Sequence, residues 1–229
     1  VYRDALEHPL VVGLAIGTRP DCLPDESLDL LTEIARTAYL SLEIGIQTIH
    51  NRSLRWMNRG HEYDLVPDVI ERCRGRGFQI GAHIMLGLPG ESSSDMLATA
   101  VAMAGLKLDL IKLHNLYVVR NTPLAEQYAR GEVQLLGRDE YMSVLVDFVE
   151  QLPPTTIVER ISGESPGSYF VAPTWCLDKP NILRALRAEF ERRDSWQGKY
   201  YGEAGRLPET AVHDETTAPV RALRPRDVE

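Results

Sequence analysis

Ile80–Glu91, IGAHIMLGLPGE, is the stretch on which the fold turns. A short apolar run ends in Gly-Leu-Pro-Gly-Glu, and Ser92-Ser93-Ser94-Asp95 follows as a capping box: Ser92 can accept backbone N–H groups and Asp95 can answer back. The pattern predicts a buried strand, a glycine turn and a new helix. Gly87 and Gly90 carry no Cβ, so the chain can take positive φ there, and a planar or anionic ligand can rest against bare backbone beside the helix amides. A junction of this kind at the carboxyl end of a parallel strand is where α/β proteins place their chemistry. Read alone, Gly-Leu-Pro-Gly serves equally well as a corner.

The flanking sequence repeats the rhythm. Leu10–Ile16 (LVVGLAI) is a continuous apolar run that fits a strand covered on both faces. Pro24-Asp25-Glu26-Ser27 then opens a helix with Leu28, Leu31, Ile34 and Ala35 on one stripe. Leu40–Ile46 (LSLEIGI) is the next strand, and Tyr63, Val66, Val69, Ile70 and Cys73 mark a helix that stops at Gly75 and Gly77. Beyond the central stretch, Leu97, Ala100, Val101 and Ala104 are expected to face inward on a helix ended by Gly105, and Leu108–Leu116 is a fourth strand. Strand and helix alternate throughout, as in right-handed βαβ units with parallel pairing. The fold class is α/β, a partial parallel (β/α) barrel of TIM-like type, although spacing does not settle closure against a doubly wound sheet.

Past Val119 the pattern changes to helices at Pro123–Gly131, Tyr141–Leu152 and Pro180–Arg193, with a strand at Ile157–Ile161. Residues 1–120 are therefore expected to form barrel core, 121–200 a helical and α+β extension packed on it, and 201–229 a disordered tail. With 229 residues, 44% hydrophobic and 25% charged, the chain can bury one core plus an appendage. A net charge of −8 weighs against a large nucleic-acid surface or an anionic membrane. No apolar run is long enough to span a bilayer and no secretion signal opens the chain, so the sequence reads as cytoplasmic. Cys22, Cys73 and Cys176 lie far apart, so no disulfide framework and no self-contained metal site is written here.

Polar residues gather where strands end. The first strand gives Thr18-Arg19-Pro20-Asp21, the second Glu43 and Gln47, the third His83, and the fourth Lys112, His114 and Asn115. Polar groups inside a barrel are costly unless paired, so a convergent set points to a ligand. Gln47 offers a donor and an acceptor, and Arg59 can make a two-pronged bond to a carboxylate. His114, next to Lys112, is the best candidate for a substrate-side residue, though it serves equally well as a loop-bonding histidine. Cys22 and Cys176 near strand-end loops could serve the substrate or a second metal, but read more simply as small hydrophobes.

GTRPDCLPDESLDLL (17–31), LEIGIQTIHNRSLRWMNRGH (42–61), HIMLGLPGES (83–92), IKLHNLYVVRNTPLA (111–125) and APTWCLDK (172–179) together resemble the radical S-adenosylmethionine (SAM) superfamily, in its YhcC-like branch. That branch is related to the elongator-subunit and anaerobic coproporphyrinogen-oxidase types. The resemblance implies a partial (β/α) barrel that binds SAM and, with a [4Fe-4S] cluster held by three closely spaced cysteines and an external electron donor, forms a 5′-deoxyadenosyl radical acting on an unknown substrate. It implies further that Gln47 and Arg59 contact the ribose and carboxylate of SAM, that His83 stands where an acidic ribose ligand often stands, that Gly87, Gly90 and Glu91 belong to the glycine motif against the adenine, and that Leu116 flanks the adenine. Gly17 stands where many relatives carry a glutamate, so that contact is absent or replaced by Arg19. The cluster cysteines have no match in this chain, and the first strand corresponds to the family's third, so the expectation is a barrel truncated at its N-terminal strands, with cluster ligands outside the chain and an exposed first-strand edge. Two other readings stay open: a barrel lyase or hydrolase using Lys112 as Schiff-base former or His83 and His114 as general bases, and a binding remnant without catalysis.

Overall fold

The computed structural model describes residues 1–163 and 167–202. A short helix α1 (Tyr2–Leu6) leads into β1 (Gly13–Thr18), followed by α2 (Asp25–Ala35), β2 (Tyr39–Gln47), α3 (Asn51–Trp56), α4 (Val66–Cys73), β3 (Gln79–Leu86), α5 (Ser93–Gly105) and β4 (Leu110–Asn115). The later part adds β5 (Val118–Val119), α6 (Pro123–Ala129), α7 (Arg138–Gln151), β6 (Ile157–Arg160), β7 (Phe170–Ala172) and α8 (Lys179–Arg192). Strands β1, β2, β3, β4 and β6 form one parallel sheet in that order, while β5 pairs antiparallel with β7.

Side-chain alternation along the strands decides what each face of the sheet does. Leu42, Ile44 and Ile46 of β2, Ala82, Ile84 and Leu86 of β3, and Ile111 and Leu113 of β4 are buried in one core with residues of α2, α4, α5 and α7, among them Leu28, Ile70, Met103 and Phe148. The intervening positions, Glu43 and Gly45, Gly81 and His83, Lys112 and His114, share the opposite face, called here the inner face. A doubly wound sheet is apolar on both faces because helices cover both. One apolar face and one face of charged groups and glycines is the wall of a partial (β/α) barrel, as expected.

Three details of the expectation are corrected. Pairing of the first strand begins at Gly13 rather than Leu10, and Leu10 and Val12 stand 83% and 84% exposed ahead of it. β1 has only β2 beside it and is covered incompletely, so its apolar run does not report a strand buried on both faces. On α5, Leu97 and Val101 are not inward; Met96, Thr99, Ala100, Met103 and Ala104 are buried, while Val101 is 39% exposed. The helix is apolar nearly all round, so two phases of the stripe fit the sequence. On α8 only Ile182 is buried, and Leu183 lies half exposed. The expected tail, past Gly202, lies outside the described residues.

The central stretch folds as its residues dictate. Asp95 N–H donates to Ser92 Oγ (3.2 Å) and Ser92 N–H to Asp95 Oδ2 (2.7 Å), closing the capping box that starts α5. Gly87 and Gly90 take φ of +83° and +79°. Gly87 does not present bare backbone, however: a Cβ there would meet Leu136 Cγ and Cδ1 at 2.9 Å. Leu136 precedes α7, and its carbonyl accepts from Trp175 Nε1 at 3.1 Å, so the extension closes over the turn and is itself tied down there. Gly87→Ala should therefore combine a left-handed torsion with a collision and cost about 2–4 kcal/mol. Gly90→Ala, with nothing within 4 Å of the added carbon, should cost about 1 kcal/mol. Equilibrium urea unfolding of the two variants checks this, and equal losses would mean that Leu136 yields freely.

Candidate functional site

Glu43 interrupts the apolar sequence of β2, and its register partner on β3 is Gly81. A Cβ at Gly81 would lie 3.5 Å from Glu43 Cγ, in ordinary contact, and Glu43 leans past this glycine toward β4. His83 and Lys112 are register partners one step further along. Glu43 Oε2 lies 2.5 Å from both Lys112 Nζ and His83 Nε2. Burial pushes the Glu43 carboxyl up, but the hydrogen bonds from Lys112 and His83 outweigh it and hold the group below the usual carboxylate range. An ionised Glu43 only accepts, so His83 turns an N–H on Nε2 toward it.

Lys112 also approaches Glu159 of β6, with Nζ 3.4 Å from Oε2. His114 lies with its ring centroid 5.3 Å from that of His83, and its Nε2 is buried without a hydrogen-bond partner. Burial, followed by the charges of His83, Arg160 and Lys112, pushes the His114 imidazole down to about 4, so it is neutral at physiological pH.

A second group stands at the carboxyl end of β2. Gln47 takes φ of +72°, and the pairing of β2 with β3 slips between Ile44 and Gln47. Arg59 NH2 donates to Gly45 O at 3.2 Å, and its Nε is buried without a partner. A Cβ at Gly45 would stand 2.3 Å from Arg59 NH2 and 2.9 Å from Gln47 Nε2, so this glycine makes the cradle in which both side chains lie. Burial and the charge of Arg19 pull the Arg59 guanidinium below its ordinary value. Arg19, paired with Asp21, packs over Gly60, and His61 is buried with Nε2 unpartnered.

The other expected residues are placed differently. Glu91 turns into the protein, where Thr48 Oγ1 donates to its Oε1 at 2.8 Å, and burial raises its carboxyl. Its Oε2 and the Ser53 hydroxyl are both buried without a bond of good geometry. Leu116 is buried at the rim with Trp56, Leu88 and Val133, against Met57 and Met85. Gly90 is open. Cys22 is exposed beside the end of β1, whereas Cys73 and Cys176 are buried in the core. Among the described residues no three His, Cys, Asp or Glu side chains form a metal-binding group, and no helix is long and apolar enough to cross a membrane. A surface hollow of about 560 Å³ is lined by Gly137–Glu140 together with Thr174, Trp175, Asp178 and Asn181.

Thus Gln47 and Arg59 meet at one point of the rim, and His83, Lys112 and His114 meet on the inner face. Glu43, present in the sequence as a charge inside an apolar strand, is the residue that joins the second group. Glu159 and Arg160 carry no comparable signal, since only the register of β6 brings them to Lys112.

Residues 4–102 match the model of the radical SAM superfamily, and residues 108–192 that of the radical SAM C-terminal domain. The chain is 39% identical to the uncharacterized protein YtqA of Bacillus subtilis over 205 residues, which cover 88% of this chain and 64% of YtqA. It is 34% identical to the protein YhcC of Escherichia coli over 177 residues, 77% of this chain and 57% of YhcC. The chain thus spans less than two thirds of the length of these relatives. Among solved structures, the archaeal Elp3 of Methanocaldococcus infernus with an N-terminal deletion superimposes with a TM-score of 0.71 at 23% identity, over 81% of this chain and 43% of that one, and so shares the fold.

The His114 environment makes a pH prediction. Between its ordinary value of 6.5 and about 4 in the folded chain, the unfolded chain binds a proton that the folded one refuses. Stability conferred by the neutral ring is complete above that window and falls as pH drops through it. His114→Gln should flatten this part of the stability–pH curve relative to the parent protein, as read by chemical denaturation at several pH values. An unchanged slope would place the titration elsewhere.

Proposed function

The chain belongs to the radical SAM superfamily, beside the YhcC-like proteins, and on that premise we propose that it is the part of such an enzyme that holds SAM at the rim and the substrate on the inner face. The observation that carries this reading is Arg59: a half-buried side chain whose Nε is itself buried without a partner, cradled with the Gln47 amide over Gly45. A zwitterionic ligand with a carboxylate and ribose hydroxyls supplies what these groups lack. His83 Nδ1, on the ring edge away from Glu43, can hydrogen-bond a ribose hydroxyl. Gly90 leaves room for a planar group, and Leu116 with Leu88 offers the apolar surface beside it. Gly87 and Glu91 act by shaping the turn: the first packs under Leu136 and the second anchors the loop to Thr48.

The chemistry SAM supplies in this family is a 5′-deoxyadenosyl radical formed by reductive cleavage at a [4Fe-4S] cluster. The described residues do not fit the cluster itself, because Cys22 is exposed while Cys73 and Cys176 are buried in the core. What this chain contributes is orientation at the rim and proton control on the inner face, where Lys112 and His114 are the substrate-side residues. Lys112 is engaged by two carboxylates, which disfavours its use as a Schiff-base nucleophile.

The natural gene product, purified anaerobically and supplied with iron and sulfide, should release 5′-deoxyadenosine from SAM under reduction. Arg59→Lys cannot reproduce the guanidinium fork and should raise the SAM concentration needed about tenfold. Iron uptake without any 5′-deoxyadenosine release would defeat the reading.

A further inference from the structure

Arg160 ends β6 and is the register partner of Lys112, because the β4–β6 pairing slips between Ile111 and Lys112 and leaves Glu159 out of the ladder. Such slips re-aim side chains near functional sites. Here the slip brings two residues of β6 to one lysine: Glu159 approaches Lys112 Nζ at 3.4 Å, and Arg160 aligns beside it. Lys112 donates one N–H to Glu43 and lies within ion-pair distance of Glu159, so its three N–H groups are not all used. Arg160 is exposed and makes no hydrogen bond or ion pair among the described residues. The charges of His83, Arg160 and Lys112 all act against protonation of His114, with Glu43 opposing them. His114 Nε2 is buried there with no partner.

We propose that the β4–β6 side of the inner face binds a carboxylate group of the substrate, held by the Arg160 guanidinium and an unused N–H of Lys112, with His114 as the hydrogen-bonding wall beside it. The proposal rests on the reading of the inner face as the substrate side. Charge disfavours a dianion: Glu43 and Glu159 together outweigh Lys112 by one negative charge, which Arg160 offsets, so a dianionic phosphate would be repelled by the two carboxylates more strongly than a singly charged carboxylate. The planar guanidinium fork matches a carboxylate in shape as well.

The test uses this chain labelled with ¹⁵N-histidine and observed by NMR, with acetate and inorganic phosphate as separate probes. Acetate should shift the His114 imidazole resonances saturably and raise the pH at which they titrate, because a bound anion favours the imidazolium. Phosphate should act more weakly. Arg160→Gln should weaken the acetate response about tenfold or more, whereas Arg130→Gln, which removes an exposed arginine paired with Glu132 on a different element, should leave it unchanged. The His61 and His83 resonances report in the same spectra whether the variants keep their fold. No saturable shift, a response insensitive to Arg160, or a preference for phosphate would each overturn the proposal. SAM takes no part in this titration, so its outcome and that of the 5′-deoxyadenosine assay are separable.

Discussion

A buried carboxylate shared by two donors from two strands organises the inner face. Glu43, with its side chain 8% exposed, would be expensive alone; Lys112 and His83 repay its desolvation only because both reach the same oxygen. Gly81 of β3 lies beside that path: a Cβ there would stand 3.2 Å from Leu110 Cβ and in ordinary contact, 3.5 Å, with Glu43 Cγ, so a residue of β2 crosses over β3 to meet β4. The three strands are thereby locked in a register that backbone pairing alone specifies weakly, since a one-residue slip would turn every side chain to the other face. The same contacts fix the orientation of the His83 ring and the place of Lys112.

The rim is held by a different device. Thr48 donates to Glu91, His50 N–H donates to Thr48 Oγ1, and Arg52 pairs with Asp95 at 2.9 Å, so the loop after β2 and the turn after β3 are stitched to one another. From the other side Leu136 packs over Gly87 and accepts from Trp175, while the buried Tyr141 donates to Ile161 O at 2.7 Å. The carboxyl-terminal extension is thus part of the wall of the site rather than an attachment to it. Its helices α7 and α8 pack on each other and, through α7, on α5.

Much of this is legible in the sequence, and the exceptions have physical causes. Apolar runs bounded by Gly, Pro and a capping box give the order of strands and helices, because those signals are local. That His83, Lys112 and His114 share one face follows from polar positions on neighbouring parallel strands, whereas Gln47 meets Arg59 at a separate point of the rim. What escapes is register and phase. Nothing local says that Arg160 rather than Glu159 pairs with Lys112, that α5 turns Met96 instead of Leu97 inward, or that Leu136, many residues away, covers Gly87. The short α3 and the buried His61 escape for the same reason, since tertiary packing and not periodicity places them.

The left-handed torsion at Gln47 narrows the alphabet available to that codon. Glycine would relax the backbone by about 1 kcal/mol but would delete the amide that lies beside Arg59, and asparagine would tolerate the torsion yet fall short by one methylene. A side chain that fits its backbone poorly is retained where its length matters. If Gln47 holds a ligand as proposed, a saturation library at position 47 should trade stability against ligand affinity, with no substitution improving both.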